Sequence, residues 1–373
     1  MINDPNQPSS VRQPRGIVKV GGKIFNSDGS TNVESISLPM SGWIEWEVEN
    51  NTFYQADRFS ISFAVGGLPD NRKEDWFALQ QEISVEIFAG FPTDPANYDT
   101  SQLQSLIYGL VDEVEFDPIG RVFHLSGRDL TAKMIDSKTT EVFINRKSSD
   151  IATLIAAKYG LNAVVTPTSK IVGKYYELVN AHLHHQRSEW NLLCFLAQME
   201  QFAVYVSGHD LHFEPLTTDS ADAYTLQWQA NPFAFNGTRL RFMRSLTLAK
   251  GAQVTVQSFS QRGIKPVIQV YPKTAGSNAQ KYTFRFANMN AEKAFQKAQA
   301  LHKEITRHEV KLHADLPADN ILTARNVLKV TGTGTAYDQN YFPDSIVRNM
   351  SRDSGYTMRV SAKNHSPQTQ VTM

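Results

Sequence analysis

The feature that most constrains this chain is an internal echo. "LVDEVEFDPIGRVFHLSGRD" (110–129) and "IVRNMSRDSGYTMRVSAKN" (346–364) align once a single residue is deleted from the turn. Leu110 and Val111 then match Ile346 and Val347, Val114 matches Met350, Asp117 matches Asp353, and Gly120 matches Gly355. Further on, Leu125 matches Val360, Ser126 matches Ser361, and Asp129 faces Asn364. A segment ending in Gly precedes each copy: "EISVEIFAG" (82–90) and "NVLKVTGTG" (326–334). Self-similarity of this kind marks a repeated supersecondary unit. With 373 residues, 41% of them hydrophobic, the chain can bury a core in each copy.

The repeated unit is built of strands. In "SGWIEWEVENN" (41–51) Trp43, Glu45 and Glu47 alternate with Ile44, Trp46 and Val48, the period-two pattern of a half-buried strand. "RFSISFAV" (58–65) and "EISVEIFAG" alternate in the same way. "DPIG" (117–120) carries Pro and Gly turn chemistry, so 110–129 reads as a hairpin. Helical spacing occurs between the copies. "SSDIATLIAAKYG" (148–160) has a Ser cap and an apolar face of Ile151, Leu154 and Ile155. "SEWNLLCFLAQMEQFA" (188–203) is capped by Ser188 and buries Trp190, Leu193, Leu196 and Ala197; the strand pair "AVYVSGHDLHFEP" (203–215) follows. A third helix over 290–308 carries Ala294, Ala298, Leu301 and Ile305 as one narrow stripe.

These patterns predict an α+β, mainly β chain with two similar β-barrel domains and a small α/β insert between them. The expected division is a polar N-terminal arm at 1–16, a first barrel at 17–130, the insert at 131–235, a second barrel at 236–364 that includes the helix at 290–308, and a polar tail at 365–373.

Several motifs offer chemistry and fail on their own terms. Ser126–Leu130 reads Ser-Gly-Arg-Asp-Leu, like the His-Arg-Asp-Leu catalytic loop of protein kinases, but the metal-holding Asn of that loop is replaced by Met134. "VGGKIF" (20–25) lacks the kinase glycine pattern as well. Asp129 therefore reads as a structural corner that caps the turn "LTAKMID". His182 and His184, and His209, Asp210 and His212, are candidate metal ligands, but they lie on two separate strands without a His-Glu-x-x-His helix. Asp112 and Glu113 are neighbours on a strand and point to opposite faces, so they cannot flank one bond. "TGTGT" (331–335) lacks the Gly-Lys-Ser/Thr ending of a phosphate loop, and no Gly-x-Ser-x-Gly elbow occurs. Tyr175, Tyr176 and Tyr341 would be the exposed aromatics of a carbohydrate-binding module. Cys194, the single cysteine, sits among apolar neighbours as a small core residue. No catalytic, cofactor-binding or metal residue is assigned.

Charge and segment composition exclude other classes. Lys plus Arg and Asp plus Glu are 37 each, so no strong basic field is present to hold nucleic acid by its phosphates, and sequence-specific nucleic-acid binding is not expected. No apolar run reaches the roughly 20 residues of a membrane span. The start, "MINDPNQPSSVRQPRG", is polar and proline-bearing, which is unlike a secretory signal and points to assembly in a cytoplasm.

Three segments carry a family resemblance. "LIYGLVDEVEFDPIGRVFHLSGRDLTAKMID", "RSEWNLLCFLAQMEQFAVYVSGHDLHFEP" and "LKVTGTGTAYDQNYFPDSIVRNMSRDSGYTMRV" resemble, in order and spacing, the baseplate hub proteins of contractile-tailed bacteriophages. That family includes the phage Mu hub and the late control protein D family, and its fold also forms the base of the type VI secretion spike. The resemblance runs from about Trp43 to Asn364, with one departure at Phe202, where the family's helix usually ends in Gly. It implies a non-enzymatic homotrimeric ring in the virion tail baseplate, a pseudo-sixfold symmetry adaptor between a sixfold tail tube and a threefold central spike. Tape-measure and baseplate wedge proteins would be further partners, and the channel would pass DNA during genome ejection. The alternatives are the hub-like base of a type VI or related injection spike, a cell-wall-acting hydrolase, or a carbohydrate-binding tail module.

Overall fold

The computed structural model describes residues 13–366, apart from 27, 35, 37, 140–142, 144, 170, 173–186, 217–222, 260–265 and 288. The candidates His182, His184, Tyr175 and Tyr176 lie outside the described residues. The chain is α+β and mainly β.

The first unit contains β1 (Arg15–Phe25), β2 (Thr31–Glu34), β3 (Trp43–Asn51), β4 (Arg58–Ala64), α1 (Glu74–Leu79), β5 (Glu82–Gly90), β6 (Gln104–Asp117) and β7 (Val122–Asp129). An α/β insert follows with α2 (Thr131–Asp136), β8 (Lys138–Thr139), α3 (Ser148–Lys158), β9 (Asn162–Val165), β10 (Arg187–Ser188), α4 (Glu189–Glu200), β11 (Phe202–Ser207) and β12 (Asp210–Pro215). The second unit opens with β13 (Tyr224–Gln229), β14 (Ala234–Phe235), β15 (Arg239–Arg244) and α5 (Leu246–Ala249). Within it sits a module of β16 (Ala252–Phe259), β17 (Val267–Tyr271), β18 (Gln280–Ala287) and α6 (Ala291–Thr306). It closes with β19 (Val310–Pro317), β20 (Leu328–Thr331), β21 (Asn340–Ser351) and β22 (Gly355–Asn364).

The two units share one topology. In space the first runs β1-β5-β6-β7-β4-β3 and the second β13-β20-β21-β22-β19-β15, the same permutation of chain order. They differ in the first strand, since β1 pairs antiparallel with β5 whereas β13 pairs parallel with β20. The echo therefore survives as topology but not as residue register. Ile346 and Val360 lie directly opposite each other, yet their matches Leu110 and Leu125 face Arg128 and Val114 instead. The difference begins at the turn, where Asp117 pairs with Val122 while its match Asp353 lies inside the turn closed by Ser351 and Gly355, and the register shift between Val111 and Glu113 slides the pairs beyond it by one residue.

The expected barrels are rolled sheets. In the first unit β1 and β3 meet only where the lead-in to β3 returns, with Met40 N donating to Val18 O at 2.7 Å and Lys19 bridging Pro39. One hydrophobic core, from Val18 to Ala362, runs through both units; the insert and the β16–β18 module each bury a smaller core of their own. The helix expected at 290–308 covers that module through Ala294 and Ala298. On α3, Ile151, Ala152, Ile155 and Ala156 are buried, but Leu154 is 44% exposed, so the apolar face is narrower than its spacing suggested. Ser148 lies inside that helix rather than capping it, and its hydroxyl donates to Glu200 at 2.8 Å. Ser188 does cap α4, accepting from Asn191 N at 3.2 Å. After α4, Gln201 takes a left-handed φ of 60°, a conformation that glycine adopts most readily.

The glycines of the hairpin explain part of its sequence. A Cβ on Gly127 would meet Leu110 O at 2.1 Å and the Phe59 ring at 2.6 Å, and one on Gly109 would meet Arg128 O at 2.3 Å and the same ring at 2.8 Å. Phe59 lies over the sheet only because both positions lack side chains. Gly127→Ala is expected to cost about 1–3 kcal/mol through overpacking, read as a lower urea midpoint with an unchanged slope.

Candidate functional site

The two units are joined by strand pairing. β3 runs antiparallel to the second half of β21, with seven residue pairs from Ser345↔Asn51 to Ser351↔Glu45. Trp46, Val48, Ile346 and Met350 are buried there, and the Trp46 ring meets Tyr356 edge-on at 5.9 Å. Arg348 locks the seam from within. Its Nε donates to Asp319 O at 3.0 Å, its Nη1 to Asn50 Oδ1 at 3.1 Å, and its Nη2 to Leu322 O. At 3% exposure these bonds are what make a buried guanidinium tolerable.

The topological equivalent of this seam is open. β5 covers β6 only as far as Leu110, so residues 111–117 pair with β7 on one side and with no described strand on the other. Every residue of Asp112–Asp117 is exposed, whereas none of Ser345–Ser351 is. Val114 (38%), Phe116 (41%) and the turn residue Ile119 (95%) are apolar groups facing solvent. β15, the counterpart of β3, likewise pairs only with β19. The two open edges carry opposite charge: Asp112, Glu113, Glu115 and Asp117 on one, Arg239, Arg241 and Arg244 on the other. Arg239 and Arg244 also pair within the chain, to Asp315 at 3.6 Å and Glu309 at 3.0 Å.

The residues singled out for chemistry are held apart. Asp129 is buried at the end of β7 and its Oδ1 accepts from Thr131 N at 3.0 Å, the corner role expected of it. Arg128 of the same motif clamps Asp112 at 2.6 Å and Asp136 at 2.9 Å. His209 meets the Tyr108 ring at 4.2 Å in a tilted contact, Asp210 accepts from Asn162 at 2.8 Å, and His212 stacks on Tyr205 at 4.4 Å. Among the described residues no group of three or more His, Cys, Asp or Glu could hold a metal ion. In "TGTGT", Asp338 accepts from Thr333 N at 3.0 Å and from Gly334 N at 2.8 Å, taking the donors a phosphate would need. Tyr341, which a carbohydrate-binding reading would need exposed, is fully buried and donates to Tyr337 O at 3.0 Å. Burial pushes the Cys194 thiol up to about 12, which removes it as a nucleophile. Among the described residues no helix is long and apolar enough to cross a membrane.

Comparison with solved structures follows the sheet topology. The chain superposes on a tail protein from Neisseria meningitidis with a TM-score of 0.65 at 14% identity, covering 95% of this chain and 98% of that one. It has the fold of a phage tail protein. The 43 kDa tail protein of prophage MuSo2 from Shewanella oneidensis gives 0.60 at 14% identity, covering 94% and 98%. A chain of the Francisella PdpA–VgrG complex gives 0.53 at 12% identity, covering 98% of this chain and 60% of that one. No protein-family model matches the sequence, and no curated protein matches it either.

Sequence reasoning placed the two hairpins but missed Arg348 and the seam, which joins positions about 300 residues apart with no local signal. Arg348→Met would leave two backbone carbonyls and Asn50 Oδ1 without their donor. A loss on the order of 3 kcal/mol in denaturant unfolding is expected.

Proposed function

We propose that this chain is a structural hub of a phage tail baseplate. Three copies would form a ring around a channel between a sixfold tail tube and a threefold central spike, in the virion. The observation that carries this reading is the double use of one sheet topology, with its internal seam made and the equivalent outer seam unmade. β15 of one copy laid beside residues 111–117 of the next would repeat the β3–β21 contact. Three chains of two units each then present six similar faces on one side while retaining threefold symmetry on the other. Unpaired strand edges of this length favour pairing with another chain, and the acidic and basic edges select each other. Balanced charge suits a passage that must release polyanionic DNA and the tape-measure protein. The ring would act mechanically and not as an enzyme, with tube, spike and baseplate wedge proteins as its partners.

The likeness to the PdpA–VgrG complex favours a second reading, the base of a secretion spike. The two readings share the ring and differ in what stacks on it.

Light scattering of the purified chain is expected to give the mass of three copies. Arg239→Glu with Arg241→Glu should leave a folded monomer with an unchanged circular dichroism spectrum. Adding Glu113→Lys and Glu115→Lys should restore the larger mass. Trimers that persist through the first pair of changes would rule out this edge as the contact.

A further inference from the structure

The loop between β3 and β4 is a plug that holds the insert. Tyr54 Oη donates to Phe202 O at 2.6 Å and Tyr54 N donates to Val204 O at 3.2 Å. Its carbonyl accepts from Trp190 Nε1 at 3.2 Å and faces Cys194 Sγ at 3.8 Å. The base of this loop is Asp57, whose Oδ1 accepts from Asn51 N at 2.7 Å and whose Oδ2 accepts from Asn50 Nδ2 at 2.8 Å. Asp57 O in turn accepts from Asp129 N at 3.0 Å, and Asp129 opens the insert's first helix through Thr131 N. Two carboxyl groups therefore stand together where the first sheet hands the chain to the insert.

Both line a polar cavity of about 270 Å³ bounded by the first unit, the insert hairpin and the loop before β20. Among the described residues neither carboxyl forms an ion pair. Arg348 is committed to the seam, and Arg325 lies flat on the Tyr205 ring at 3.8 Å while donating to its hydroxyl at 2.7 Å. Glu86 on β5 also lines the cavity, Glu49 on β3 adds negative charge to Asp57, and Tyr108 is the remaining titratable wall. Asp129 is buried and Asp57 half-buried; each other's charge and that of Glu49 disfavour their ionisation, and the Arg325 charge opposes this only in part at Asp57.

We propose that Asp57 and Asp129 form a proton-binding site, and that releasing the proton loosens the joint between the first β unit and the insert. Burial is the main cause on both residues. It lifts Asp57 to about 6, and with the Asp57 charge beside it lifts Asp129 well above the carboxylate range. Both folded values exceed the ordinary 3.8, so the contribution to stability is complete below that value and is lost as pH rises through about 6 and above. The joint is tight in acid and loose in mild alkali.

Cys194 is a built-in reporter, being the only cysteine and lying against Tyr54 O. The test is labelling of the full chain with a pyridyl disulfide, a thiol reagent that reacts in acid, near pH 3.5 and near pH 8, comparing the native sequence with Asp129→Asn. Thiolate formation changes alike in both, so their rate ratio isolates opening of the joint. Equal rates in acid, and labelling about tenfold slower in the variant near pH 8, are expected. Asp57→Asn is read the same way if Asp129→Asn misfolds. His209 meets the cavity residue Tyr108 and His212 stacks on the cavity residue Tyr205, so His209→Gln with His212→Gln is the control and should behave as the native chain does. A rate ratio independent of pH, or a pH effect that disappears with the histidines, would overturn the proposal.

Discussion

A strand edge must be paired, and the rest of this structure depends on how that constraint is met. Backbone N–H and C=O groups along a sheet margin carry free energy that solvent only partly offsets, so exposed edges recruit partners. Here β3 of the first unit lies against β21 of the second, which fuses both into one 14-stranded sheet over a continuous core. The pairing places Trp46 and Met350 in the interior and calls for Arg348 to tie the seam to the loop before β20. The equivalent strands β6 and β15 are left with open margins of opposite charge. The repeated topology gives the chain one closed seam and two open margins.

Much of this was legible in the sequence. Period-two alternation located β3, β4 and β5, and Pro-Gly chemistry located the β6–β7 turn, because both signals are local. The echo between 110–129 and 346–364 identified equivalent hairpins, yet its residue matches fail in register. A bulge near Val111 and a different turn geometry, with Arg121 rather than Gly120 at positive φ, move the pairs without altering the alternation that reveals them. Tyr341 was left open between surface and core, because a tyrosine on a strand reads the same whether its hydroxyl meets water or the Tyr337 carbonyl. The seam, the cavity and the meeting of Asp57 with Asp129 were invisible, since each joins segments tens to hundreds of residues apart.

The insert is attached differently from the second unit. Where β3 and β21 share a ladder, the insert is held by α2 and by a loop whose tip, Tyr54, enters its core. Such a joint rests on few hydrogen bonds and on the protonation of one carboxyl pair, so it is the natural place for movement between otherwise well-packed bodies. The β16–β18 module is attached in a similar way. It leaves and re-enters the second unit at Arg244 and Glu309, whose 3.0 Å ion pair closes its neck. Both additions can thus adjust without disturbing the sheet.

The most direct test of the central claim is averaged electron micrographs of the assembled particle. A ring of three chains, with a central opening and six similar sheet sectors, is the result this account predicts. A particle with another number of chains, or one in which β6 and β15 face solvent while different surfaces meet, would contradict it.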